Sequence, residues 1–343
     1  MLDDLAYIHR TDPVDALGIA QKQHEQLAHE FVEPALGFRP EHIVYAGMGG
    51  SALPALLSDT WPGYTVPFEI VRGYQVPRYV DGKTLVIASS YSGNTEETIS
   101  ALHDAEAKGA RIAVVASGGQ LETIAKDKNY PLVLLPKTDQ PRYAVFYNLK
   151  GFVTLLSGAG VLAVPEAAAQ LAAHADFLKT AVTAWQPDVP TSRNLAKQIA
   201  QELLGKSVVV YAGPLLFPAA YKWKISVNEN AKQVAWTNQL PEFNHNEFIG
   251  WSRQPVDKPY AVIDLRSSLE HPRVQKRFEV SARLLSGMRP EPIVVTAEGQ
   301  TVMEHLLWTS VLGDFVTIYL ALLNGINPAP VDLVEKLKKA LNE

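Results

Sequence analysis

Short apolar runs separated by helical stretches set the tightest limit on how this chain can fold. Runs at 43–46, 66–71, 84–88, 111–116 and 132–135 alternate with helical patterns beginning near 51 and spanning 95–108 and 120–127. Strand, helix, strand in this rhythm gives parallel βαβ units with helices on both faces of the sheet. The rhythm restarts at 207–212 and continues through strand candidates at 233–236, 261–264 and 292–296, with helices from the Gly213-Pro214 turn to about Asn228 and near 270–286, 302–324 and 331–341. The class is therefore α/β, with two doubly wound domains, each a parallel sheet flanked by helices. The repeat is one of pattern, without residue-level identity between the halves. The expected boundaries are 1–163 for a first domain with a leading helix, 164–190 for a helical connection, and 191–343 for a second domain with a C-terminal helix. The first forty residues read as helix, closed by Pro34 and Pro40. Residues 143–162 read as a long apolar helix, and the Ala-rich stretch 163–186, split by Pro165, as more helix.

A chain of 343 residues has room for about two domains of ordinary size and a large core. Its net charge of −5 provides no basic field for nucleic acid or an anionic membrane, so neither is an expected partner. The chain has no cysteine, which excludes disulfides, a thiolate nucleophile and Cys-ligated zinc, and fits a cytoplasmic location. The acidic start, Met1-Leu2-Asp3-Asp4, does not read as a secretory signal. The longest apolar run, 306–323, is interrupted by Asp314 and reads as a buried helix rather than a membrane span.

The densest chemistry lies in Ser89-Ser90-Tyr91-Ser92-Gly93-Asn94-Thr95-Glu96-Glu97-Thr98, where four Ser/Thr hydroxyls fall within the first seven residues, between a strand and a helix. Hydroxyls and backbone N–H groups gathered at a helix N-terminus suit an anion, most naturally a phosphate. No cationic side chain occurs in this stretch. A compact sugar phosphate therefore fits it better than a nucleotide triphosphate. The plainer reading is a helix cap, with Ser92 or Asn94 and Glu97 forming a capping box. One cap needs one hydroxyl rather than four, and Gly93 adds close backbone access.

Gly47-Met48-Gly49-Gly50-Ser51-Ala52 follows a strand, opens a helix and matches the dinucleotide fingerprint; Arg72 could then meet a 2′-phosphate, making the chain an NADP oxidoreductase. The second, hydroxyl-rich loop argues against this. Both loops leave carboxyl ends of strands and can converge on one ligand, with Gly49, Gly50 and Ser51 bringing backbone N–H groups to it. His24 and His29 stand five apart, about 140° around a helix, and so form no zincin pair. Asn244-His245-Asn246-Glu247 lacks a convincing third ligand.

Two further polar clusters, Asn228-Glu229-Asn230-Ala231-Lys232 and Pro241-Glu242-Phe243-Asn244-His245-Asn246-Glu247, interrupt apolar sequence. Asn228 and Asn230 read equally well as capping and turn residues. Glu229 and His245 suit proton transfer on an aldose phosphate. Its C2 is a weak carbon acid, so a base must be held close and the enediolate stabilised. A carboxylate can carry the proton between C1 and C2, a histidine can open the ring, and Arg142 or a C-terminal lysine can face the oxyanion. This chemistry requires no metal and no redox cofactor.

Across nearly its full length the chain resembles the bifunctional phosphoglucose/phosphomannose isomerases, built from two SIS (sugar isomerase) domains. The matching pieces are Gly47-Met48-Gly49-Gly50-Ser51, Ser90-Tyr91-Ser92-Gly93-Asn94-Thr95, Pro141-Arg142, Asn228-Glu229-Asn230-Ala231-Lys232, Asn244-His245-Asn246-Glu247 and Leu320-Ala321-Leu322-Leu323-Asn324-Gly325, in the family's order. The resemblance implies interconversion of glucose 6-phosphate, and of mannose 6-phosphate, with fructose 6-phosphate. It implies Glu229 as the base on C1 and C2, His245 as the ring-opening group, and Arg142 as the stabiliser of the enediolate. Ser90, Ser92 and Thr95 would bind phosphate, and Gly49, Gly50 and Ser51 would line the sugar site. A lysine on the last helix is implied in ring opening; Lys338 is the best placement, with Lys336 and Lys339 adjacent and a solvated helix end as the plainer account. The family further implies a homodimer with histidine donated across the interface. A threonine near the start of the C-terminal segment goes with acceptance of both C2 epimers, and here Asn327-Pro328-Ala329-Pro330-Val331 has none. The resemblance therefore carries the glucose activity further than the mannose activity. The competing classes are a non-catalytic SIS module that senses a sugar phosphate, which would need neither Glu229 nor His245, and the NADP oxidoreductase.

Overall fold

The computed structural model describes residues 1–138, 141–253 and 259–341, which form two compact units. One unit, Lys22–Leu178, is built on a five-stranded parallel sheet of order β2-β1-β3-β4-β5. Its strands are β1 His42–Ala46, β2 Phe68–Val71, β3 Thr84–Ser90, β4 Arg111–Ala116 and β5 Leu132–Leu134. Parallel strands covered on both faces must be apolar on both faces, and every residue of β3 is buried. Alternate residues feed two cores. Ile43, Tyr45, Leu85, Ile87, Ala113 and Val115 pack against Phe152, Leu155 and Leu156 of the helix Val145–Ser157. Val44, Ala46, Val86, Ala88, Ile112 and Val114 pack against Ala101, Leu102 and Ala105 of the helix Glu96–Ala107 on the opposite face. The strand order reverses between β1 and β3, so the loops leaving their carboxyl ends open side by side.

The other unit, Met1–Gln21 with Lys179–Glu343, holds a four-stranded parallel sheet of order β7-β6-β8-β9. Its strands are β6 Ser207–Ala212, β7 Ala235–Gln239, β8 Tyr260–Arg266 and β9 Ile293–Thr296. The order repeats that of β2-β1-β3-β4. The helix Val302–Leu323 is long and apolar enough to cross a membrane by composition alone, yet 94% of its most apolar 18-residue window is buried inside the protein. Trp223 Nε1 donates to the Thr309 carbonyl at 2.7 Å, and the buried Lys222 pairs with Asp314 on that helix. Asp314, which interrupts the apolar run, is thus part of an internal ion pair.

The first forty residues are not one helix. Three short helices, Leu5–Thr11, Ala16–Gln21 and Gln23–Ala28, precede a non-helical stretch at 29–41. The first break falls where Pro13 follows Asp12. Proline cannot continue a helix, and the Asp12 carboxylate accepts from the N–H groups of Ala16 and Leu17 at 2.9 and 3.1 Å, which starts the next one. These leading residues pack with the second sheet's unit. Tyr7 Oη donates to the Leu322 carbonyl at 2.6 Å, and the buried Lys197 ammonium reaches Asp3 at 2.9 Å. The first sheet's compact unit therefore begins at Lys22 and runs past 163 to Leu178, taking in residues 164–178. Strand β7 starts two residues later than the range expected for it and extends through the polar Thr237, Asn238 and Gln239. An edge strand with one open side tolerates that polarity.

Candidate active site

The hydroxyl-rich loop leaves the centre of the first sheet and is locked by its backbone. Gly93 has φ +69°, and a Cβ there would lie 1.8 Å from the Gly118 carbonyl oxygen, so only glycine fits. The loop docks on the one that follows β4. The Leu121 N–H donates to the Gly93 carbonyl at 3.0 Å, the Gln120 N–H to Asn94 Oδ1 at 3.0 Å, and Ser117 Oγ to the Tyr91 carbonyl at 2.6 Å. Tyr91, inside the motif, is an anchor whose hydroxyl bonds to the Pro136 carbonyl at 2.9 Å and to Thr138 Oγ1 at 3.0 Å.

Three of the hydroxyls form a small network. Ser90 Oγ lies 2.8 Å from Thr95 Oγ1 and 3.5 Å from Ser92 Oγ, and accepts from the Gly93 N–H at 3.2 Å. Thr95 is the N-cap of helix Glu96–Ala107, but its side chain makes no cap hydrogen bond. The capping-box candidates are engaged elsewhere, Asn94 Oδ1 with the Gln120 N–H and Ser92 Oγ with the Asn94 N–H at 3.3 Å. The Thr95 hydroxyl is turned to Ser90, and the helix's first N–H groups, which have no partner within the helix, lack that acceptor. Glu96 and Glu97 in the first turn favour the helix dipole.

The glycine-rich loop after β1 meets this network from the side. Ser51 Oγ accepts from the Tyr91 N–H at 3.0 Å, and the Ser51 carbonyl accepts from Tyr45 Oη at 2.8 Å. Gly49 has φ +50°, which allows the tight turn into the helix that follows. The Arg142 Cα lies 3.7 Å from where a Cβ on Gly50 would be. Arg142 is buried, with its guanidinium 5.0 Å from the centre of the Tyr143 ring. The first unit thus gathers Gly49, Gly50, Ser51, Ser90, Ser92, Thr95 and Arg142 at the carboxyl ends of β1 and β3. Sequence reasoning missed the supports beneath them. Asn148 Nδ2 donates to the buried Ser89 Oγ at 3.1 Å, and Tyr45 Oη reaches Asn148 Oδ1 at 3.3 Å. Burial, only partly offset by these partners, raises the Tyr45 phenol above its ordinary range, so it stays a neutral donor. An Asn inside an apolar helix was the one available signal.

The second unit carries the remaining candidates on three separate elements. Glu229 lies in the last turn of the helix Phe217–Asn230 and is half-buried. Its neighbours are fastened: Asn230 Nδ2 donates to Thr317 Oγ1 at 2.9 Å, and Asn228 Nδ2 to the Gln233 carbonyl at 2.8 Å. His245 is exposed in the short 3-10 turn Glu242–His245, where every other member of its motif makes a scaffold bond. Asn244 bonds to Ser281 Oγ at 2.8 Å and to Arg277 at 3.2 Å. Asn246 caps the Glu247 N–H, and Glu247 accepts from Asn238 at 2.6 Å and from Tyr211. Lys338 is exposed on the helix Asp332–Ala340, 2.7 Å from Glu335. Among the described residues, no three His, Asp or Glu side chains gather as a metal would need.

Residues 192–341 match the family model described as the bacterial phospho-glucose isomerase C-terminal SIS domain. The bifunctional phosphoglucose/phosphomannose isomerase of Aquifex aeolicus is 32% identical over 88% of this chain and 90% of its own length. The D-glucosamine-6-phosphate 4-epimerase of Sulfolobus acidocaldarius is 36% identical over 62% of this chain and 65% of its own. In fold, the chain is similar to a glucose-6-phosphate isomerase like protein from Thermus thermophilus, with TM-score 0.66 and 19% identity over 98% of both chains. The helix-flanked parallel sheets and the relationship to the Aquifex enzyme along nearly all of both sequences lead to one assignment: this chain belongs to the bifunctional phosphoglucose/phosphomannose isomerase family and is a sugar-phosphate isomerase.

Proposed function

We propose that the protein interconverts glucose 6-phosphate, and with it mannose 6-phosphate, with fructose 6-phosphate through a cis-enediolate. The observation that carries this reading is the first unit's loop, with three hydroxyls at an N-terminus whose cap residue makes no side-chain cap bond. Ser90, Ser92, Thr95 and the adjacent N–H groups hold the phosphate. Gly49, Gly50 and Ser51 present backbone to the sugar. His245 moves the proton that opens the ring. Glu229 takes the proton from C2 and returns it to C1, and Arg142 stabilises the negative oxygen that forms between. Lys338 assists ring opening. The names of the two relatives described above refer to hexose 6-phosphates or their isomerases, which supports this substrate class.

A homodimer completes the proposal. His245 is exposed, and Leu333, Leu337 and Leu341 lie four residues apart along and just past a helix with no buried residue, all more than half exposed. An apolar stripe of that spacing favours cover by a partner.

The test is turnover of glucose 6-phosphate to fructose 6-phosphate by purified protein in EDTA without added cofactor, repeated with mannose 6-phosphate. Glu229→Gln is expected to bind substrate and lose exchange of the C2 proton with solvent. Full exchange by that variant would remove Glu229 from the mechanism. Absence of turnover on either epimer would return the chain to the sensing-module reading.

A further inference from the structure

The helix Phe217–Asn230 ends one residue after Glu229, and the last carbonyls of a helix have no donors within it. Lys232 answers this in an unusual way. Its φ is +53°, in the left-handed region where glycine normally ends a helix. From there its ammonium turns back to the carbonyls of Glu229 at 2.8 Å and Asn230 at 3.3 Å. The same group reaches across to the carbonyls of Pro328 at 2.9 Å and Asn327 at 3.2 Å. Those two residues stand just before the helix Asp332–Ala340, which carries Lys338. A glycine in place of Lys232 would satisfy the backbone, so the turn alone gives no reason for a lysine. A cation at a helix C-terminus is favourable, but any basic residue in the last turn would supply that. What the lysine adds is a tie between Glu229's own backbone and the segment leading to the C-terminal helix.

We infer that Lys232 is a positioning residue for Glu229, holding the carboxylate's backbone in register with the 327–328 turn during proton transfer. The inference rests on the proposed role of Glu229 as the base. A displacement of about 1 Å in a group that must meet a C–H bond can cost roughly a hundredfold in rate. The tie engages only backbone carbonyls, those of Glu229, Asn230, Asn327 and Pro328, so its loss is expected to fall on kcat.

The decisive variant is Lys232→Gly, which suits the left-handed backbone and removes the ammonium. It is expected to keep the melting temperature within a few degrees and KM within about twofold, while kcat falls about tenfold to a hundredfold. Lys232→Arg should restore part of kcat. In a Glu229→Gln background, Lys232→Gly should cost nothing further, because both changes act on one step. Faster amide hydrogen exchange at 326–331 in Lys232→Gly would report the released tie. Unchanged kcat in Lys232→Gly, with residual turnover strongly reduced in Glu229→Gln, would overturn this inference alone, as would full additivity of the two losses. Full activity in Glu229→Gln would overturn the base assignment and the inference together.

Discussion

The loops after β3 and β8 leave the same position in two sheets of matching strand order, and they treat negative charge in opposite ways. After β3, Ser51 bridges to the neighbouring loop through the Tyr91 N–H, and Ser90, Ser92 and Thr95 bring only neutral hydroxyls. After β8, the bridge is the buried carboxylate of Glu270. Its Oε2 accepts from the Leu215 N–H in the loop after β6 at 3.0 Å, and its Oε1 from the His271 N–H at 3.0 Å. Gly213 admits this side chain, since a Cβ there would lie 2.2 Å from Oε2. Parallel sheets of this kind offer backbone donors at the reversal of strand order wherever they occur. Side chains decide whether those donors remain for a guest or are consumed at home. Here the first sheet meets the N–H groups of Tyr91, Gly93 and Asn94 with the neutral hydroxyls of Ser51, Ser90 and Ser92, and the second meets its own with a carboxylate.

The contrast can be broken most sharply at the glycine that locks the first loop. Gly93→Ala faces both a positive φ and the Gly118 carbonyl. It should cost more than about 3 kcal/mol in urea unfolding, with activity lost alongside. A smaller loss would mean that the two loops of the first sheet are not locked together.

Acid should separate the units next. Burial opposes ionisation of Glu106, but Lys128, His103 and Tyr130 outweigh it and pull its carboxyl down to about 2 from 4.5. A lowered folded pKa stabilises above the unfolded value and loses that contribution as pH falls from about 4.5 towards 2, on the order of 2 kcal/mol here. Asp264 on β8 has the reverse sign, because burial raises its carboxyl despite Arg289 and Arg266. Its penalty is therefore relieved as pH falls. Urea unfolding of wild type and Glu106→Gln should show a deficit in the variant at pH 7 that shrinks to about half or less at pH 3. A deficit of equal size at both values would refute the assignment.

Serines sharpen the comparison at the level of substrate. Ser90→Ala should raise KM about tenfold, the loss of roughly one charge-assisted hydrogen bond. Ser268→Ala, in the exposed part of the β8 loop, should change KM less than about twofold in the same steady-state assay. A matching rise at Ser268 would give both sheets the same role. The smallest effect on activity is expected from Glu270→Gln, which keeps the shape and one acceptor but turns an amide NH2 towards the other N–H. Thermal unfolding should show a loss of about 1–3 kcal/mol, with kcat/KM unchanged.

Most strands are legible because a buried parallel strand has to be apolar along its length, as Val86 to Ala88 and Val208 to Tyr211 are. The edge strand β7 reads two residues early because its polar half carries no such obligation. The leading segment misleads because its punctuation, Asp12 followed by Pro13, is a two-residue signal inside a helical composition. At the site, the hydroxyl cluster is visible as a local run. Its foundations are not. Ser89 is held by Asn148, 59 residues away, and Glu270 serves a loop 55 residues before it. Such partners are set by strand order, which no local pattern states.

The Ser90–Thr95 pair has a consequence for turnover. One of these hydroxyls donates to the other, so one hydrogen of the pair is already engaged and the other is still to be given. If a hexose phosphate is held there as proposed, giving it the engaged hydrogen returns only the difference between two contacts, which moderates the grip on substrate and product alike.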